Sequence, residues 1–226
     1  MRTAIIVPSR NRPHNIIELQ KSLVETGTSS NLFVVVDEDD ETIRDYYELE
    51  NNFTNVLTFD RGRKGMADPL NNGARFLLEM NRYDYFIFVG DDHRPRTEYW
   101  DQIWRTNLDE LGTGLVYGDD LLQRQNLPTA VGMTASIVKE LGGMIPDGFA
   151  HLYLDNFWLR LGQDLGAIRY LPETVIEHLH PIAGKGEWDA GYQEVNSAEI
   201  NSADAQAFSD YIASDSYRQL VERLSA

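Results

Sequence analysis

The amino-acid sequence predicts an α/β fold in which helices flank a mainly parallel central sheet. Three observations carry this expectation. Short, branched apolar runs alternate with stretches whose apolar residues recur at helical spacing, the pattern of strand and helix units laid in turn on a sheet. Polar and charged clusters stand directly behind the apolar runs, where the carboxyl ends of parallel strands open onto a ligand crevice. The length, 226 residues with 42% hydrophobic and 25% charged, suits one large α/β domain with an ordinary core.

The first run, Ala4-Ile5-Ile6-Val7, is closed by Pro8 and is too short and too branched for a helix. Asn11 and Pro13 then open a helix in which Ile16, Leu19 and Leu23 recur at helical spacing before Gly27 ends it. A second run at 32–36 ends in Asp37-Glu38-Asp39-Asp40 and leads to a helical stretch through Ile43, Tyr46, Tyr47 and Leu49. A third strand at 56–59 is followed by the basic loop Arg61-Gly62-Arg63-Lys64-Gly65, and Asp68-Pro69 opens a helix carrying Leu70, Ala74, Leu77 and Leu78. The fourth strand spans 85–89. Behind it Thr97 reads as an N-cap for an amphipathic helix marked by Trp100, Ile103, Trp104, Leu108 and Leu111. The alternation then fades, with short strands expected at 115–117, 129–133, 168–171 and 174–176 and helices around 136–141 and 155–161. Residues 184–202, rich in Gly, Glu, Asn and Ser and without period, read as a surface loop or mobile flap ahead of two short closing helices.

Composition narrows the chemistry. With no cysteine, disulfides, thiol catalysis and thiolate metal sites are excluded, so any metal is a hard one held by oxygen or imidazole. Lys plus Arg number 20 against 36 Asp plus Glu, a net charge of −16 that opposes general binding to nucleic acid or to anionic membrane. No apolar run is long enough to cross a bilayer and no secretory signal is evident, so a soluble cytoplasmic protein without membrane insertion is the expectation.

The strongest chemical signal is Gly90-Asp91-Asp92-His93 behind the fourth strand. Two adjacent carboxylates repel one another, and burying them calls for a compensating cation, Mg²⁺ or Mn²⁺; the alternative is a solvated acidic turn. Pro8-Ser9-Arg10-Asn11-Arg12 puts polar and cationic groups where an anionic nucleotide would lie, or forms an exposed basic turn. Asp37 is placed to accept hydrogen bonds from a base or ribose, or to cap a helix. The loop with Arg61, Arg63, Lys64 and Gly65 in front of a helix start offers a phosphate cradle, though not the spacing of a P-loop. In Glu177-His178-Leu179-His180-Pro181 two imidazoles share a strand face, and either serves as a metal ligand or as a structural histidine.

Taken in order from Ile5 to Pro181, these pieces resemble the inverting family 2 glycosyltransferases of the GT-A fold, the fold of nucleotide-diphospho-sugar transferases. They are also similar to phage-encoded glycosyltransferases, for which the host cytoplasm would be the location. The resemblance implies a nucleotide site starting at Pro8, Ser9, Arg10 and Arg12, a base-binding Asp37, and a D-x-D-like motif whose first position is Gly90. It assigns Asp92 as the metal ligand and Asp91 as a donor-binding carboxylate. Gly65-Met66-Ala67 with Asn71 and Asn72 matches a donor-binding stretch, Asp155 the catalytic base, and His178, with His180 as the alternative, a further metal ligand. Leu154 stands where the family has Glu before that Asp.

On this reading residues 1–182 are the catalytic domain, 1–96 its donor half and 97–182 its acceptor half, and 183–226 a flexible loop plus a helical extension. The implied reaction is transfer of one sugar from a UDP- or GDP-linked donor to a hydroxyl of a protein, glycan or small molecule, with Mn²⁺ or Mg²⁺; the Gln-x-x-Arg-Trp motif of processive synthases is missing. Trp158 and Trp188 are candidate acceptor faces, Trp158 lying in an apolar helical stripe and Trp188 in the expected flap. Asp119, in Gly118-Asp119-Asp120, is a further acceptor candidate or faces water. The alternatives are a sugar-phosphate nucleotidyltransferase, whose glycine-rich loop after the first strand is missing here, and a noncatalytic carbohydrate-binding or assembly protein, suggested by Gly90.

Overall fold

A computed structural model describes residues 2–63, 65–186 and 188–226. Lys64, expected at the phosphates, lies outside them. One eight-stranded sheet runs through the molecule in the order β3-β2-β1-β4-β7-β6-β8-β5. The strands are β1 (Thr3–Pro8), β2 (Asn31–Asp37), β3 (Thr54–Phe59), β4 (Tyr85–Phe88), β5 (His93–Pro95), β6 (Leu115–Asp119), β7 (Val131–Thr134) and β8 (Ile168–His178). The N-terminal half of the sheet, β3-β2-β1-β4, is parallel throughout. β7 then enters between β4 and β6 antiparallel to both, β6 pairs with β8 in parallel, and β5 closes the edge antiparallel to β8. Four of the seven strand pairings are parallel, in keeping with the expected α/β class, and the antiparallel ones arise where the second half of the chain returns through strand β7 and the short edge strand β5.

Alternation along each strand feeds two cores. Ala4, Ile6, Phe33, Val35, Phe86 and Phe88 face one side, where α3 (Ala67–Glu79), α5 (Ala135–Leu141), α6 (Leu154–Asp164), α8 (Ala198–Ala213) and α9 (Asp215–Leu224) cover them. Ile5, Val7, Leu32, Val34, Val36 and Ile87 face the other, under α1 (Pro13–Glu25), α2 (Ile43–Tyr47) and α4 (Trp100–Leu111). Pro13 starts α1 where its missing N–H costs nothing. Thr97 does not cap α4: its hydroxyl donates to the Glu173 carbonyl and accepts from the Val175 N–H, while Tyr99 starts the helix with a φ of 56°.

Where two strands were expected at 168–171 and 174–176, β8 is one strand with a bulge opposite Gly118 and Asp119. A side chain at Gly118 would run into the Thr174 carbonyl oxygen, so the bulge needs glycine there. The stretch 184–202 is not a long loop: it folds as α7 (Ala190–Val195) and the start of α8, each begun by a side-chain cap, Asp189 on the Tyr192 N–H and Ser197 on the Ile200 N–H. Tyr217 and Leu220 of α9 are buried in the first core. Among the described residues no helix is long and apolar enough to cross a membrane.

Candidate functional site

At the carboxyl ends of β1, β2 and β4 lies a cleft of about 820 Å³. Its floor is a hydrogen-bonded knot of strand ends. Ser9 Oγ, following β1, donates to Asp91 Oδ2 at 2.6 Å and lies 2.8 Å from the Tyr46 hydroxyl of α2, which accepts the Arg12 N–H at 2.9 Å. Asn15 donates to Asp91 Oδ1 at 3.4 Å and the Arg12 guanidinium lies 3.7 Å from it. Burial, with the adjacent Asp92 charge, pushes the Asp91 carboxyl up to about 6. Asp91 thus ties the β1 loop to the end of β4.

Along one wall Asp37, at the end of β2, accepts from Arg10 at 3.0 Å, and burial raises its pKa. Arg10 also reaches Asp39 at 2.6 Å, and Arg61 shares Asp39 at 3.3 Å. Pro8, Ser9, Arg10, Arg12, Asp37, Gly65 and Asp91 all line the cleft, as predicted residues of one site. Arg63 and Asn71 do not. Arg63 turns away to form a forked pair with Asp68, 2.7 Å at its shortest side-chain contact. Asn71 is buried, its amide donating to the Ile145 carbonyl and accepting from the Met144 and Ile145 N–H groups, so it clamps the loop behind α5 to α3.

The chemistry centres on Asp92. Asp92, His93 and His178 bring one ligand atom each within 4.8 Å of one another. Register explains it: His93 on β5 stands directly opposite His178 on β8, and their rings stack at 4.1 Å between centroids. Burial raises the Asp92 pKa, but the hydrogen bond with His178 and the neighbouring His93 ring outweigh it and hold the carboxyl well below the usual range, so it is ionised. A side chain at position 90 would meet Asp92 Oδ1 at 2.6 Å and His93 Nδ1 at 2.7 Å, so the first carboxylate of a D-x-D motif has no room and imidazoles take its place.

The donor set suits a divalent cation. His178 Nε2 lies 3.2 Å from Asp92 Oδ2, and its buried Nδ1 has no hydrogen-bond partner among the described residues. His93 Nδ1 already accepts the Gly90 N–H at 3.0 Å, so its lone pair is engaged and Asp92 with His178 is the better pair. His180 is outside this group; its Nδ1 accepts the Ile182 N–H at 3.1 Å.

Asp155 lines the cleft at the start of α6, its Oδ1 accepting the Asn156 N–H at 2.8 Å, and burial raises its pKa. The loop before it is held by Asp204 of α8, a buried carboxylate that accepts the N–H groups of Ala150, His151 and Leu152 at 2.8, 2.8 and 2.7 Å. Tyr153, which precedes α6 with a left-handed φ of 63°, stacks on Phe208 of α8. Trp158 is a core residue, 1% exposed, with its indole N–H on the Met144 carbonyl, although it borders the cleft floor. Asp119 lies away from the cleft and accepts the Leu121 N–H at 2.8 Å. Trp188 is 50% exposed, its ring edge-on to His180 and Tyr192 outside the cleft lining.

Sequence reasoning missed His93, whose three-residue strand has no periodicity, and the α7 residues. Arg12 makes a forked pair with Asp189 at 2.8 and 2.6 Å, lies 4.5 Å from the centroid of the Tyr192 ring, and the Tyr192 hydroxyl donates to Asp92 Oδ2. α7 is thereby strapped across Arg12 and Asp92 at the mouth of the cleft.

No protein-family model and no curated protein matches this sequence. Solved structures do. The chain is similar to a mannosyltransferase from Pyrobaculum calidifontis in complex with GDP-Man and Mn²⁺, with 15% identity over 99% of this chain and 69% of that one and a TM-score of 0.68. It is also similar to residues 1–349 of S. aureus TarS in complex with UDP-GlcNAc, with 15% identity, 100% and 71% coverage and a TM-score of 0.66. A third is glucosyl-3-phosphoglycerate synthase from Mycobacterium tuberculosis in complex with Mn²⁺, UDP and phosphoglyceric acid, with 14% identity, 92% and 78% coverage and a TM-score of 0.60. The chain spans 44% of a longer TarS structure, at a TM-score of 0.59. These likenesses establish the fold: the curled mixed sheet with its helices is that of GT-A proteins.

Proposed function

We propose that this GT-A chain is a glycosyltransferase that moves one sugar from a nucleoside-diphosphate sugar, UDP- or GDP-linked, to an acceptor hydroxyl with inversion. The observation that carries the reading is the convergence in one cleft of Asp37, three arginines, the Asp92–His178 pair and a half-buried Asp155. Structures of the same fold hold GDP-Man or UDP-GlcNAc.

Asp37, at the end of β2, accepts hydrogen bonds from the base or ribose, while Arg10, Arg12 and Arg61 supply positive charge toward the phosphates. Asp92 and His178 would hold the cation, Mn²⁺ or Mg²⁺, which when bound supplies positive charge beside the departing diphosphate. Asp155 takes the proton of the acceptor hydroxyl as its oxygen forms the new bond to the anomeric carbon, and the bond to the diphosphate oxygen breaks on the opposite face. Burial makes its carboxylate a stronger base than a solvated aspartate, and its place at the start of α6 behind the Asp204 clamp fixes where it points. Trp188 offers an exposed ring to the acceptor.

Titration calorimetry with UDP and GDP, each with and without Mn²⁺, tests the site. One nucleotide is expected to bind in a Mn²⁺-dependent way, and Asp92→Ala to weaken that binding at least about tenfold. Binding that ignores both the ion and the substitution contradicts the site. Release of UDP or GDP from a panel of nucleotide sugars then identifies the donor.

A further inference from the structure

Among the side chains lining the cleft, His151 has a role in neither the strand-end knot nor the Asp92 group. Neither ring nitrogen forms a hydrogen bond within the described residues, and Nδ1 is fully buried without a partner. With Nδ1 enclosed, Nε2 is the nitrogen left to meet a ligand in the cleft. The residue's backbone is held firmly. The N–H groups of Ala150, His151 and Leu152 all end on Asp204, and the Ala150 carbonyl accepts the Ala67 N–H at 3.0 Å. Gly65 packs so closely that a Cβ there would lie 2.9 Å from His151 Cβ. The ring is therefore placed by α8 and by the loop before α3, between Gly65 on one side and Asp155 four residues further along the chain.

We propose that His151 hydrogen-bonds a hydroxyl of the transferred sugar and so determines which sugar the donor carries, an assignment that rests on the donor reading above. Position and chemistry select the ligand. Between the arginines that face the phosphates and the base that faces the acceptor, the group to be accommodated is the sugar. Burial holds the His151 pKa down to about 4, so the ring is neutral, with one donor and one acceptor. The two lie on opposite edges of the ring and only Nε2 is open to the cleft, so the partner must answer whichever role the tautomer gives Nε2; a hydroxyl, which can donate or accept, does so, and a phosphate oxygen, which only accepts, is better served by the three arginines. A site built to hydrogen-bond a particular hydroxyl also rejects sugars that lack it or present it on the other face.

The test compares wild type, His151→Ala and His151→Asn by calorimetry in Mn²⁺ with UDP, GDP, UDP-glucose, UDP-galactose, UDP-GlcNAc and GDP-mannose. For the nucleotide sugar that wild type prefers, His151→Ala is expected to weaken binding roughly three- to tenfold, the worth of one hydrogen bond, while the matching nucleoside diphosphate changes by less than about twofold. The unchanged nucleotide affinity shows that the variant is folded. Preference among sugars on the same nucleotide should flatten in His151→Ala and persist in part in His151→Asn, which keeps a donor and an acceptor. Equal weakening of nucleotide and nucleotide sugar, or no weakening of either, overturns the assignment while leaving the donor reading intact. If wild type binds none of the six, the donor reading falls and this inference with it.

Discussion

At the scale of single residues the cleft is defined by carboxylates with different surroundings. Asp91 has Ser9, Asn15 and Arg12 around it and serves the knot of strand ends; Asp92 has two imidazoles and stays ionised; Asp155 is half-buried, with the Asn156 N–H on its side chain. The adjacent pair was legible from its place behind an apolar strand. Its division of labour was not, because it depends on which neighbours the β1 loop and β8 bring. A base must be deprotonated to act, and burial raises the Asp155 pKa, so kcat/KM is expected to fall as pH drops through a value above that of an ordinary aspartate. Asp155→Asn should lower kcat by about two to four orders of magnitude, leave donor affinity nearly unchanged, and abolish that acid limb. Full turnover in this variant removes Asp155 from the chemistry.

Among elements, α7 is the one whose function the fold exposes. Its N-capping Asp189 occupies the Arg12 guanidinium, and its Tyr192 hydroxyl occupies the Asp92 oxygen that faces His178. A diphosphate and a cation would compete for the same two groups. Tyr192→Phe keeps the ring over Arg12 but frees Asp92, so Mn²⁺-dependent nucleotide affinity should rise by up to about tenfold, the worth of one hydrogen bond to a charged group. A fall in affinity on calorimetry would show that Tyr192 supports the occupied site instead. The sequence suggested a loop here because a six-residue helix carries too little apolar periodicity to register, and its stability comes from the Asp189 cap and the Arg12 pair. β5 was hidden for a similar reason: His93, Arg94 and Pro95 form no apolar run, and only pairing with β8 makes them a strand.

For the molecule as a whole, the C-terminal helices belong to the structure that builds the cleft. Asp204 is 1% exposed and its three N–H bonds join α8 to the loop that carries His151 and leads into α6. Asp204→Ala leaves those donors without their acceptor and is expected to cost about 3 kcal/mol. That loss corresponds to a fall in Tm of roughly 6–12 °C for a chain of this size. A thermal melt unmoved by the substitution would mean that the loop holds itself. Sequence alone determined the α/β class, the strand and helix alternation of the first half and several of the residues that line the cleft at strand ends, because those depend on local periodicity and on residues next to strand ends. Tertiary structure decided the rest: the antiparallel entry of β7, the pairing that stacks His93 on His178, the withdrawal of Arg63 and Asn71 from the cleft, the seating of α7 over it and of α8 behind the loop before α6. Each is a contact between segments far apart in the chain, and such contacts depend on strand register and packing geometry, which leave no periodic trace in the sequence.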